Sequence, residues 1–175
     1  MAFRIRQYPH NDLMNLACYH REIIEKKVES GDHEGIALDC TSCLIALAFA
    51  VEALINFVGS RKVPDWNERA QSPLKIKKLS KALGITMQSG IEPFDAISTL
   101  REIRNGLAHG KPRQRVASAA NRTELKEAML APWDGYLDPK TVAALYAQVV
   151  ALRKILFDVA EIRWVDSLTS AVGSH

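Results

Sequence analysis

Apolar residues recur every three or four positions along most of this chain, and short polar links separate the segments that carry them. This spacing is typical of amphipathic helices. Beyond the alternating stretch 3–6, no segment has the period of two that predicts a strand. The pattern therefore predicts an all-α fold.

The predicted helices are bounded by residues that start and stop helices. They comprise a first helix from Asn11 or Asp12 to just before Gly31, a second from about Ile36 to Val58 with Gly59 as its end, a third from Ser72 and Pro73 to Gly84, a fourth from near Pro93 to Gly110, a brief one after Asn121, and a last one from Asp138 and Pro139 to about Ser167. The second is apolar nearly all round, which predicts a buried central helix, and the tail after the last helix is expected to be frayed. The economical architecture is an antiparallel up-and-down bundle of four to five helices, in a single domain spanning residues 1–175.

Composition places the chain among ordinary soluble proteins, with 47% hydrophobic and 25% charged residues. Three cysteines are an odd number, which favours a reducing cytoplasm over a secreted disulfide scaffold. The first residues lack the apolar stretch of a signal peptide, and the most apolar run, 43–51, is too short to span a bilayer. We therefore expect a cytoplasmic protein that is not associated with membranes.

Cys40 and Cys43 have the spacing of a metal or redox motif, but the sequence offers no second pair and no paired histidines to complete a zinc site. Both cysteines fall at the start of the most apolar predicted helix, where cysteine acts as a small hydrophobic residue. The sequence therefore predicts neither a bound metal nor a cofactor.

The net charge of +3 conceals an uneven distribution. Between residues 61 and 115 there are 12 lysines and arginines against 5 aspartates and glutamates, while the rest of the chain carries 11 against 15. A positive segment of this kind can attract a phosphate backbone, although surface lysines also serve solubility alone. Charge by itself therefore leaves open whether the partner is a nucleic acid.

Glu52 and Asn56 are the only strongly polar side chains between Cys43 and Val58 on the central predicted helix, and they lie one turn apart on the same face. A carboxylate buried there needs a partner, because an unpaired buried charge costs several kcal/mol. We expect that partner to be Arg101 or Arg104. The pair either fixes the register of two helices or orients a catalytic arginine, and the sequence does not decide between the two.

A polar cluster closes the fourth predicted helix. In a regular helix, Arg101, Asn105 and His109 form one stripe, because they follow each other at intervals of four. Arg104 lies about 60° from Arg101 and about 140° from His109 at 100° per residue. For Arg104 and His109 to meet one phosphate, the helix must loosen at Gly106, or the site must be shared between two chains.

The chemistry of this cluster suits metal-free cleavage of RNA. The arginine fork binds a phosphate or a developing oxyanion, and histidine gains and loses a proton near neutral pH. One group would assist the ribose 2′-hydroxyl, and others would stabilise the phosphorane and the leaving group. The competing interpretation is that the arginines are surface charges and that His109 merely closes the helix.

The segment Arg104-Asn105-Gly106-Leu107-Ala108-His109-Gly110 resembles the R-x4–6-H signature of the HEPN superfamily of helical nucleotide-binding domains. The acidic residue in the earlier apolar segment 50–56 also resembles that family. The resemblance implies a helical bundle that forms a homodimer in which two such motifs face each other across a cleft. Many members are metal-independent ribonucleases of toxin–antitoxin, phage-defence and RNA-processing systems.

The resemblance also implies roles for individual residues. Arg104 and His109 would be the catalytic pair and Asn105 would tune or orient them, with Glu52 in support. From their positions in the sequence, Arg101 and Asn56 are further candidates for supporting residues. The candidates for binding the RNA backbone are Lys111, Arg113 and Arg115. The leading hypothesis is a homodimeric endoribonuclease that leaves a cyclic phosphate and a 5′-hydroxyl.

Two alternatives remain open. Other members of the superfamily are non-catalytic modules that bind nucleotides, RNA or a protein such as a nucleotidyltransferase, and an antitoxin is another possible partner. The second alternative is that Glu52, Asn56 and the arginines form a purely structural network.

Overall fold

The computed structural model describes residues 2–112, 114 and 116–174, and most of them are helical. The elements, in chain order, are β1 (Ala2–Arg6), α1 (Pro9–Ser30), α2 (Ile36–Lys62), α3 (Ser72–Leu83), α4 (Asp95–His109), α5 (Arg122–Met129), α6 (Pro139–Val159) and β2 (Ser170–Ser174). Short 3-10 turns cover Asp134–Tyr136 and Trp164–Ser167. The expectation of a predominantly α-helical protein is confirmed.

Helix α2 lies at the centre and packs against α1, α3, α4 and α6. It has the length and apolar character of a membrane-crossing helix, yet 61% of its most apolar window is buried by other parts of the same chain. A core helix of a water-soluble protein passes the same test. The predicted central position of this helix is confirmed.

The end of α2 differs from the prediction, because the helix continues through Gly59 to Lys62. The indole ring of Trp66 lies directly against Gly59, so a Cβ at this position would overlap the ring. Gly59 therefore serves a close approach between helix and loop, and the prediction that it ends the helix is wrong.

The last helix also ends elsewhere than predicted. Helix α6 begins where expected, because the Asp138 carboxylate accepts hydrogen bonds from the amides of Lys140 and Thr141. It stops at Val159, and Glu161 then adopts a positive φ of 51° that redirects the chain. The apolar spacing continues past this point, which is why the sequence pattern placed the end near residue 167.

The two ends of the described chain pair with each other. β1 and β2 form an antiparallel two-stranded sheet in which Arg4 is opposite Val172. The prediction of a frayed tail is therefore wrong, and the all-α assignment needs this small addition. The alternating stretch 3–6 falls within β1, whereas the sequence of β2 has no alternating pattern. β2 is held in place by backbone pairing with a strand at the other end of the described chain.

His10 lies in the core near the start of α1, with 1% of its surface exposed. Its ring stacks on Phe57 at a centroid distance of 4.8 Å, and Phe157 approaches its edge. Its Nε2 has no hydrogen-bond partner among the described residues. Burial, followed by the charge of Arg153, lowers the pKa of His10 to about 4, although Asp12 opposes the shift.

This depressed pKa makes stability depend on pH. Between about pH 6.5 and pH 4 the unfolded chain binds the proton that the folded chain rejects, so stability is complete above that window and falls as pH decreases. We expect a loss of about 2 to 3 kcal/mol across the window, and His10→Phe, which keeps the ring stack, should abolish most of it. Urea unfolding at several pH values measures both proteins. An equal loss in acid for the two would contradict this assignment.

Candidate functional site

Glu52 on α2 holds two cations from two other helices. Arg104 on α4 donates from Nη1 to one carboxylate oxygen, and Lys75 on α3 donates from Nζ to the other at 3.2 Å. The structure thus pairs Glu52 with one of the two arginines expected. The Glu52 side chain is 42% exposed, so the cluster lies at the rim of the core, and the expectation that this carboxylate is deeply buried is wrong.

Lys75 is the buried member of the cluster, with 3% of its surface exposed. Its Nζ donates to Glu52, to the Asn56 side-chain oxygen at 3.2 Å and to the Glu68 backbone oxygen at 3.2 Å. Sequence analysis missed this residue. Its signal was its position one turn before Leu79, on the apolar face of α3.

The charge of the cluster is unbalanced, since one carboxylate faces two cations. Burial raises the pKa of Glu52, but the hydrogen bond and charge of Lys75, with the Arg104 charge, outweigh it and hold the pKa below its ordinary value. Glu52 is therefore ionised near neutral pH. The three groups together carry one net positive charge.

The guanidinium of Arg104 is oriented on both sides. Opposite Glu52, Asn105 accepts hydrogen bonds from Arg104 Nε at 3.3 Å and Nη2 at 2.9 Å. The guanidinium also lies 5.9 Å from the ring centroid of Phe49, which is 44% exposed. Asn105 therefore positions Arg104, a role its place in the motif had suggested only through family resemblance.

An open cleft of about 1460 Å³ lies beside the C-terminal half of α4. One wall carries Arg101, Asn105, His109 and Lys111. The rest of the lining is largely apolar and aromatic and comes from the end of α5 and the segment that follows it, with Met129, Leu130, Trp133 and Tyr136. The cleft lining thus combines basic and amide side chains, one carboxylate from Glu102, and aromatic rings.

The stripe predicted on α4 is present, because Arg101, Asn105 and His109 all line this cleft. Arg104 does not line it and instead borders a small cavity of about 30 Å³ with Glu52, Lys75 and Arg101. Helix α4 remains helical through His109, so the first of the two alternatives, loosening of the helix at Gly106, does not occur. Within one chain, Arg104 and His109 therefore face different sides of the helix.

Gly106 and Gly110, the two glycines of the motif, leave room for close contacts at the end of α4. A Cβ on Gly106 would lie 3.1 Å from the indole ring, and one on Gly110 would lie 2.6 Å from the Gly106 carbonyl oxygen. Gly110 has a φ of −59°, so it is not a left-handed cap. Its role is the close approach of the chain to the Gly106 carbonyl oxygen at the helix end, with Trp133 in ordinary contact beside it.

Gly110→Ala should therefore destabilise the protein by about 1 to 2 kcal/mol, because the new methyl group would lie 2.6 Å from the Gly106 carbonyl oxygen and the helix end must shift to make room. Gly135→Ala is the matched control, since a Cβ there meets nothing within 4 Å. Thermal unfolding followed by circular dichroism compares the two variants. Equal melting temperatures would show that the packing at Gly110 carries no energetic weight.

The other residues that the sequence singled out lie in several different places. Asn56 supports Lys75, Lys111 lines the cleft, and both Arg113 and Arg115 lie outside the described residues. Burial raises the pKa of Cys40 to about 11 and that of Cys43 to about 12, so both are protonated, buried thiols. In the part of the chain that the structure describes, no group of three or more His, Cys, Asp or Glu side chains could hold a metal ion.

The arrangement combines three chemical capacities at one end of α4. Arginine and lysine side chains can hold an anion, His109 can transfer a proton, and an aromatic wall can stack against a planar group. Comparison of the chain with protein-family models, with curated proteins and with solved structures gives no match.

Proposed function

We propose that this chain is a metal-independent endoribonuclease of the HEPN type. The observation that carries the proposal is that Arg101, Asn105 and His109 face one open cleft while Asn105 also holds the guanidinium of Arg104. The 2′-hydroxyl of a ribose attacks the adjacent phosphorus, the bond to the 5′-oxygen breaks, and the products are a 2′,3′-cyclic phosphate and a 5′-hydroxyl.

Each side chain has a defined task in this reaction. His109 takes the proton of the 2′-hydroxyl or supplies one to the departing 5′-oxygen. Arg104, kept in place by Glu52 and Asn105, stabilises the charge on the phosphorane. Arg101 and Lys111 bind the RNA backbone along the cleft, and the sequence adds Arg113 and Arg115 to that role.

The reaction requires a homodimer under this proposal. Since Arg104 and His109 leave a regular helix about 140° apart, one chain does not bring both to the same phosphate. Two α4 helices that face each other would combine Arg104 of one protomer with His109 of the partner subunit. Phe49, partly exposed beside Arg104, supplies apolar area at that contact.

The test is incubation of the purified protein with mixed RNA in EDTA. Cleavage that yields cyclic phosphate and 5′-hydroxyl ends supports the proposal, and the ends are identified by whether a polynucleotide kinase labels the 5′ termini without prior phosphatase treatment. Absence of cleavage across RNA substrates, with EDTA or with added divalent ions, overturns the catalytic proposal.

A second candidate function rests on the engagement of Arg104. Its guanidinium is already bonded to Glu52 and Asn105, which suits a non-catalytic module that binds RNA or nucleotides, or that binds a protein such as an antitoxin or a nucleotidyltransferase. Expression in a bacterial host separates the candidates. A toxin or defence nuclease in the cytoplasm arrests growth and is silenced by His109→Ala, whereas the binding module gives the same growth with either chain.

A further inference from the structure

A second recess, of about 520 Å³, lies between α3 and α4 and opens beside the cleft. Ser98 and Arg101 line both spaces. Both residues lie in the N-terminal half of α4, so the recess and the cleft adjoin along that helix. The volume of the recess falls within the range of small-ligand sites in proteins.

The charged residues that line the recess are all positive. Lys77 and Lys81 lie one turn apart on α3, and Arg101 faces them from α4. The described residues that line the recess include no aspartate or glutamate. Nor does any of the three cations make a hydrogen bond or an ion pair with a described residue, so their charges are free to meet an anion.

The lining of the recess combines apolar side chains with hydroxyls. Ile76, Phe94 and Ile97 contribute apolar surface, and Ser80 and Thr86 contribute hydroxyls. A planar aromatic ring with polar atoms on its edge matches this lining, because its faces pack on the apolar side chains while its edge exchanges hydrogen bonds with the hydroxyls. An acyl chain would suit the apolar side chains but would leave the hydroxyls unpaired.

We propose that the recess binds one unpaired nucleobase of a single-stranded RNA whose backbone passes over Arg101 into the cleft. Lys77 and Lys81 contact the phosphate next to that base. This inference rests on the proposed function, in that the bound strand is the strand to be cut, and it adds that the substrate is single-stranded at this point. Paired bases do not reach the recess, because their edges are occupied by the opposite strand.

Binding is measured with a 2′-O-methyl hexanucleotide, which cannot be cleaved through its 2′-oxygen, so the readout is independent of catalysis. By fluorescence anisotropy, Lys77→Ala/Lys81→Ala should weaken binding about tenfold. The control Lys78→Ala/Lys154→Ala removes the same charge from exposed sites outside both cavities and should change binding by less than about threefold. A duplex of the same sequence should bind more weakly than the single strand.

The base itself is tested with nucleoside monophosphates against ribose 5-phosphate. Titration calorimetry should show about tenfold tighter binding of at least one nucleotide than of the sugar phosphate. Ser80→Phe fills the recess without changing charge and should erase this difference, and its melting temperature shows whether the variant is folded.

Equal affinity for nucleotides and ribose 5-phosphate, equal binding of duplex and single strand, or an unaffected Ser80→Phe variant overturns the recess proposal. The two proposals fail separately. RNA cleavage with an inert recess leaves the nuclease in place, and nucleotide binding without any cleavage leaves only the recess.

Discussion

Replacing His109 with alanine is expected to lower the rate of RNA cleavage about 10²- to 10⁴-fold, the usual contribution of a positioned general acid or base. The substitution should leave stability nearly unchanged, because His109 is exposed at the end of α4. Rates are measured on one RNA substrate in EDTA, with circular dichroism as the check on folding. His33→Ala, in an exposed link between α1 and α2, is the matched control and should retain full activity.

A site that combines Arg104 of one protomer with His109 of the other makes a second, more specific prediction. Arg104→Ala should also lose activity, because no other side chain in the cluster faces Glu52 and Asn105 as Arg104 does. Co-expression of the two inactive chains should then restore about one quarter of wild-type activity. Half of the randomly assembled dimers are mixed, and each has one of its two sites built from intact Arg104 and intact His109.

The mixing experiment separates three outcomes. Restored activity supports a site built from two chains. Activity lost in each variant and absent from the mixture contradicts the shared site and requires Arg104 and His109 to act within one chain. A His109→Ala protein as active as wild type contradicts the catalytic role of this histidine altogether.

The sequence predicted most of the helices because their signals are local. The cap at Asp138 and the left-handed glycines at Gly31 and Gly84 act through residues within one or two turns. It failed at Gly59 and in the tail for the opposite reason. Trp66 packs against Gly59 from a loop, and β2 pairs with a strand at the far end of the chain, so neither effect is written in the neighbouring residues.

In the candidate site, too, the local features could be predicted from the sequence and the contacts between distant elements could not. The alignment of Arg101, Asn105 and His109 along one cleft follows from helical spacing, and the structure shows it. Lys75 and Trp133 come from other elements and reach the site only through tertiary packing. A lysine at an apolar position of a short helix was the one sequence signal that could have indicated the buried cation.

Loss of that cation is expected to produce the largest stability change. Lys75→Ala should destabilise the protein by about 2 to 4 kcal/mol, because it removes three hydrogen bonds and leaves the Glu68 carbonyl oxygen and the Asn56 amide oxygen without their donor. This loss of stability lies toward the lower end of the range for broken buried ion pairs, because Glu52 is partly exposed and remains paired with Arg104. Urea unfolding at pH 7 measures the difference in free energy.

The pH dependence of stability shows how much of the free energy lost in Lys75→Ala comes from the ion pair between Lys75 and Glu52. The pKa of Glu52 is lowered in the folded protein, so its ion pairs stabilise the fold above the ordinary carboxyl range, and this contribution disappears as pH falls through the lowered pKa. The gap between wild type and Lys75→Ala should therefore narrow in acid. Lys78→Ala, on the exposed side of the same helix, should change stability by less than about 0.5 kcal/mol at any pH. A gap that stays constant from pH 7 into acid would mean that Lys75 stabilises the protein through packing of its aliphatic stem rather than through Glu52.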